Sequence, residues 1–138
     1  MKKIIVITTF ILLAGAAFGQ TLQKGGILAV RSYTVILQPD VTMNQFLDFC
    51  INKYNPAFEK NYPGVKIFML MGDRGEKKNQ IGEILYFESV KLRDKYWPVE
   101  DTSSDFEKAA AEKMKPIDEE FRKLVVDITN DYTDWVIK

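Results

Sequence analysis

An α+β fold, one four-stranded antiparallel sheet with helices on a single face, is predicted by three features of this 138-residue chain. Four stretches read as strands from their β-branched and aromatic content or their two-residue alternation. Two S/T-x-x-E/Q helix starts fall between them. The resulting order is strand, helix, strand, strand, helix, strand.

The chain opens on a different kind of segment. Lys2 and Lys3 are followed by an uncharged run from Ile4, and Ala17 and Gly19 stand two apart as the small positions of an export-signal cut site. We therefore expect a secretory signal over 1–19, cleavage before Gln20, a leader over 20–26 and one domain over 27–138. The apolar run is shorter than the ~20 residues a membrane span needs, so no membrane association is expected after cleavage. The expected location is periplasmic or extracellular.

Ile27 to Leu37 is the first strand, stopped by Pro39-Asp40. Thr42-Met43-Asn44-Gln45 has the form of a capping box, and Val41 and Phe46 stand where a hydrophobic staple would form. Met43, Phe46, Leu47, Cys50 and Tyr54 continue at helical spacing. Pro56 should kink or restart this helix, since it removes a backbone donor and disfavours a helical Asn55. Pro63-Gly64 ends it. Val65 to Met71 and Ile81 to Glu88 form a hairpin across a polar loop, and Ser89 to Tyr96 is a short helix closed by Trp97-Pro98. After a polar linker, Glu100 to Ser104, the second capping box at Ser104 to Glu107 opens a helix that reaches Pro116. Pro116 is expected to start a continuing helix with the stripe Ile117, Phe121, Leu124, Val125 and Ile128. Tyr132 to Ile137 is the last strand. This βαββαβ order is the ferredoxin-like arrangement, in which one sheet face is bare and must meet water, a partner or a ligand.

The pattern resembles the dimeric α/β barrels typified by antibiotic-biosynthesis monooxygenase-like domains. The shared features are Pro63-Gly64 before the second strand, the aromatic-x-Ser junction Phe87-Glu88-Ser89, and the short helix after it. The resemblance implies two sheets closing face to face into a homodimeric barrel with a pocket on the inner sheet face of each subunit. Apolar residues on both sides of the first strand, Ile27, Ala29, Tyr33, Val35 and Leu37 against Leu28, Val30 and Ile36, also call for two covers.

Composition narrows the chemistry. Nineteen basic residues balance nineteen acidic ones, which gives no footprint for nucleic acid or an anionic membrane. A single Cys50 allows no internal disulfide, and its place on the apolar helix stripe marks a buried thiol. The sequence contains no histidine, which excludes Ser-His and Cys-His nucleophiles, histidine metal sites, and the histidine haem ligand of the haem-degrading relatives in the resembled group. Gly72-Asp73-Arg74-Gly75 lacks the length and lysine of a phosphate loop. Asp127, Asn130, Asp131 and Asp134 do not follow a calcium loop and read as a helix end and turn. No metal or cofactor is expected.

Arg31, Lys66 and Glu83 place charges inside strands, where each needs water, an opposite charge or a ligand. Parity sets Arg31 beside Tyr33 on one face, and Glu83 with Leu85 and Phe87 on one face. Were these the inner face, they would line a pocket; solvated strand edges or a structural ion pair are the plainer alternative. Trp97, Trp135 and Tyr86 suit an apolar pocket or dimer contact, and equally simple core packing. The expected ligand-binding set is Arg31, Tyr33, Glu83 and Trp135, in a non-enzymatic or weakly catalytic exported module for a small apolar or aromatic molecule. The alternatives are a cofactor-independent monooxygenase-like enzyme acting on an aromatic substrate, and a purely structural dimer.

Overall fold

The structure is a computed structural model and describes residues 22–99 and 102–138. The expected export signal and the first two residues of the leader, like Glu100 and Asp101 of the linker, lie outside the described residues. The elements run β1 (Ile27–Leu37), α1 (Met43–Phe49), a π-helical segment (Cys50–Tyr54), α2 (Asn55–Asn61), β2 (Val65–Met71), β3 (Ile81–Phe87), α3 (Val90–Tyr96), α4 (Asp105–Arg122) and β4 (Val125–Val136). The sheet order is β2-β3-β1-β4 with every pairing antiparallel.

Local chemistry explains the starts and stops. Both halves of the first capping box form: the Gln45 N–H donates to Thr42 Oγ1 and the Thr42 N–H to Gln45 Oε1. At the second, Ser104 Oγ accepts from the Glu107 N–H, but the return bond is missing. The Ser104 N–H instead donates to the Tyr96 carbonyl, and the Glu107 carboxylate takes the Tyr62 hydroxyl. Ser89 caps α3 by accepting from the Leu92 N–H. Gly64 lies at φ 93°, where a side chain is strained. Gly72 opens the β2–β3 loop, and a Cβ there would sit 1.8 Å from the Lys77 carbonyl oxygen.

Two boundaries differ from the sequence expectation. α4 passes Pro116 without a break, and β4 begins at Val125, seven residues before the expected Tyr132. Leu124, Val125 and Ile128 therefore leave the helical stripe, and the Asp127–Asp134 acidic cluster lies in a strand rather than a turn. The reason is pairing at long range: β4 pairs along the whole of β1, from Ile27 opposite Val136 to Leu37 opposite Val125, with one register shift between Ile36 and Leu37 where Val126 is skipped. A ladder of that length, carried by Val125, Val126, Ile128 and Thr129 with their strand preference, outweighs the helical spacing.

Helices cover one face of the sheet. Beneath them lie two apolar clusters. One gathers Ile27, Ala29, Val65, Ile67, Leu85 and Phe87 under Tyr62, Tyr96, Ala110 and Met114. The other joins Phe46, Phe49, Cys50 and Ile81, with Tyr33, Val35, Met69 and Phe121 packed against it. Along each inner strand the clusters meet at a single position: Arg31 between Ala29 and Tyr33 in β1, and Glu83 between Leu85 and Ile81 in β3.

Candidate functional site

Arg31 and Glu83 are directly opposite one another in the β1–β3 ladder. Their side chains point to the helix-covered face, where Arg31 Nη1 donates to Glu83 Oε1 at 3.1 Å. The Tyr33 hydroxyl donates to the same oxygen at 3.0 Å. Glu83 is the buried charged residue of the described chain, 7% exposed. Burial pushes its carboxyl above the usual range, against the opposing pull of the Arg31 charge and the bonds from Tyr33 and Arg31. Burial, and after it the Glu83 charge, also raises the Tyr33 phenol.

This polar group borders a cavity of about 90 Å³ between the sheet and the helices. Phe46, Phe58, Phe121, Met69 and Ile81 make its apolar wall, and Cys50, Tyr54 and Asn55 enter from the helical side. The π-helical segment is what aims those three. The Asn55 N–H bonds back five residues to the Cys50 carbonyl, and Pro56, which has no N–H, follows at once. The chain thus accommodates Pro56 by widening the turn before it, and Asn55 keeps helical angles of −60° and −46° instead of the extended ones expected next to proline. Such π segments recur at functional sites. Burial first and Glu83 second push the Cys50 thiol up to about 12, so it stays protonated at neutral pH. Tyr54 is raised by burial and then by Asp118 and Glu83.

One atom stands out. Asn55 Oδ1 is buried without a hydrogen-bond partner among the described residues, at a cost of about 1–3 kcal/mol. A second, wider cleft of about 760 Å³ opens on the other side of Arg31. Its floor is Ala29, Leu85 and Phe87, and its rim includes Trp97, Ser103, Tyr132 and the ion pair of Arg93 with Asp134. Arg31 belongs to both walls.

The four sequence-predicted residues are therefore divided. Arg31, Tyr33 and Glu83 come together under the helices and not on the bare face. Trp135, opposite Leu28, lies on the bare face, 60% exposed, and is no part of that cluster. An even number of residues separates Arg31 and Tyr33 from Ile27, which puts them under the same cover, whereas Trp135 pairs with an even-numbered β1 residue. Lys66, the third strand charge, is satisfied at the sheet edge by Glu59 at 2.7 Å. Trp97 packs in the core, stacked on Tyr62, and Tyr86 is buried. Sequence reasoning does not single out Asn55; Pro56 is the available signal, since a proline inside a helix must displace the backbone bonds before it.

No protein-family model matches the chain, and no curated protein matches it in sequence. Solved structures do match. A NIPSNAP family protein from Agrobacterium tumefaciens is 12% identical, with 78% of this chain and 90% of that one covered at a TM-score of 0.50. SnoaB, a cofactor-independent oxygenase from Streptomyces nogalater, is 16% identical over 83% of this chain and 94% of its own, at a TM-score of 0.47. A dimeric protein of unknown function and ferredoxin-like fold from Bacteroides fragilis is 13% identical over 83% and 98%, at 0.42. At such identities the likeness is one of fold, and it agrees with the strand order: the chain is an α+β domain of ferredoxin-like fold.

Proposed function

We propose that the protein is an exported small-ligand-binding module that acts as a homodimer, its ligand held between the sheet and the helices at Arg31, Tyr33 and Glu83. The observation that carries this reading is the buried Glu83 carboxylate, held with Arg31 and Tyr33 against a largely apolar cavity. Pairing with Arg31 and Tyr33 offsets the cost of burying this charge, and a carboxyl perturbed by burial beside a cavity is the kind of group that clusters at functional sites. Few polar groups in an apolar, aromatic-walled space suit a small apolar or aromatic molecule with one polar feature.

The homodimer is supported by the other face of the sheet. Phe68, Leu70 and Trp135 are exposed there, and Leu28, Val30 and Ile84 are only half-buried. A contiguous apolar sheet face of this kind calls for a cover, and a second copy offers the same surface in return. Trp135 thus belongs to the contact between copies rather than to the ligand. Export rests on Lys2, Lys3, the uncharged run after them, and Ala17-x-Gly19.

The finer resemblance, to antibiotic-biosynthesis monooxygenase-like domains, would add oxygen chemistry on an aromatic substrate. The aromatic cavity wall favours it, and oxygen uptake that depends on a bound aromatic compound and is lost in Glu83→Ala would separate it from simple binding. Native mass spectrometry of residues 20–138, purified from an exported preparation without refolding, tests the main reading. The expected species is a dimer carrying additional bound mass; a bare monomer overturns both the dimer and the occupied site.

A further inference from the structure

We infer that Asn55 anchors the ligand at the mouth of the inner cavity, and that the ligand is a ring-sized neutral molecule presenting a hydrogen-bond donor to it. This rests on the proposed site between sheet and helices, and adds to it the polarity of what the site takes. Asn55, Ile67 and Met69 line both the inner cavity and a groove of about 420 Å³ outside it, along the β2 edge. Asn55 therefore stands where the two spaces meet.

The donors and acceptors at this point are unequal. Arg31 Nη1 and the Tyr33 hydroxyl both donate to Glu83 Oε1, on the sheet side of the cavity. The Cys50 thiol is protonated and at most a weak donor. The buried side-chain atom left without a partner among the described residues is the Asn55 Oδ1 acceptor. A ligand with a hydroxyl or amino group satisfies it, whereas one with only acceptors leaves two lone pairs facing each other. The π-helical widening is a second, independent feature of the same place: it carries the chain into Asn55 with helical geometry, next to the proline that would otherwise break it. Phe58 and Met69 offer the ring its apolar contact.

The experiment compares phenol with toluene, which share a ring and differ in the donor, by calorimetric titration of the mature protein. Wild type is expected to bind phenol saturably and at least about tenfold more tightly than toluene, the discrimination that one matched hydrogen bond supplies. Asn55→Leu should bring the two affinities together while toluene still binds. Asn55→Asp, which keeps an acceptor, should retain the preference, and guards against reading a misfolded leucine variant as support. Equal binding of phenol and toluene by wild type overturns the donor rule and leaves the site standing, with Oδ1 satisfied by water. Binding of neither probe overturns the site itself.

Discussion

The two faces of the sheet share the same alternation yet have been put to opposite uses. On the covered face, Ile27, Val65, Leu85 and Phe87 are almost wholly buried, and a charged pair is set among them. On the open face the large side chains Phe68, Leu70 and Trp135 are 40–60% exposed, and the ladder charges lie at its two edges, Asp127 and Asp131 on β4 and Lys66 on β2. The difference separates the apolar area that holds the monomer together from the area that the proposed second copy would cover. Apolar area already removed from water holds the monomer together; apolar area still in water is available to a second copy.

The strongest test of that contrast is a pair of truncations. Leu85→Ala, in the middle of the covered face, should lower unfolding stability by about 2–5 kcal/mol, because a cavity remains where the side chain was. Phe68→Ala, half in water, should cost about 1 kcal/mol or less in dilute solution. Chemical denaturation at two protein concentrations sharpens the comparison. If the proposed dimer forms, the Phe68→Ala deficit should grow with concentration, whereas that of Leu85→Ala should not change. A concentration-independent Phe68→Ala effect would remove the open face from any interface.

The same contrast explains what is legible in the sequence. β1, α1, the hairpin and α3 can be read because their signals are local: a run of β-branched residues, a capping box, a polar loop between alternating stretches. The start of β4 is misread because Val125 and Ile128 satisfy a helical spacing and a strand equally well, and only the partner strand decides. Parity brings Arg31 and Tyr33 together on one face, but which face depends on where the helices fold back, and that is a long-range matter. Trp135 joins them by its chemistry alone, without a register to place it. Asn55 is invisible as a site residue, since an asparagine after a helical tyrosine looks like any other surface position until its oxygen is found buried.

The charged pair within the covered face gives a smaller but more diagnostic effect. Arg31→Met leaves the buried Glu83 without its cation. The cost should be about 2 kcal/mol at pH 7, below the 3–5 kcal/mol of a fully buried pair, because 32% of the Arg31 side chain meets solvent. The pH dependence has a definite sign. Glu83 is raised in the folded protein by burial, so the fold holds its proton more tightly than the unfolded chain does. The associated stability is complete below the ordinary carboxyl value and is lost as pH rises through the folded one. Removing Arg31 removes a force that lowers the carboxyl, so the loss with rising pH should steepen. Denaturation midpoints should therefore show the Arg31→Met deficit narrow near pH 4 and wide near pH 7. A deficit of equal size at both would mean that Arg31 acts through packing of its stem alone.

The smallest expected effect concerns Cys50, which lies in the covered half and borders the cavity. Its thiol, with a pKa pushed up to about 12, should resist a disulfide reagent at pH 8 in the native protein and react at once after unfolding. Burial is the larger cause and the Glu83 charge the lesser. Glu83→Gln should therefore lower the thiol pKa only in part, leaving it above that of an exposed cysteine. While the thiol is mostly protonated, lowering its pKa raises the thiolate fraction in proportion to the acid constant. Native labelling in Glu83→Gln should thus quicken measurably and still remain far slower than in the unfolded chain. Labelling as fast as that of the unfolded chain would mean that the charge, not the cover, keeps Cys50 protonated, and would place the cavity in easier contact with solvent than its apolar wall implies. Labelling unchanged from wild type would mean that the Glu83 charge does not reach across the cavity to the π-helical segment. That would separate the polar group on the sheet from the residues that face it.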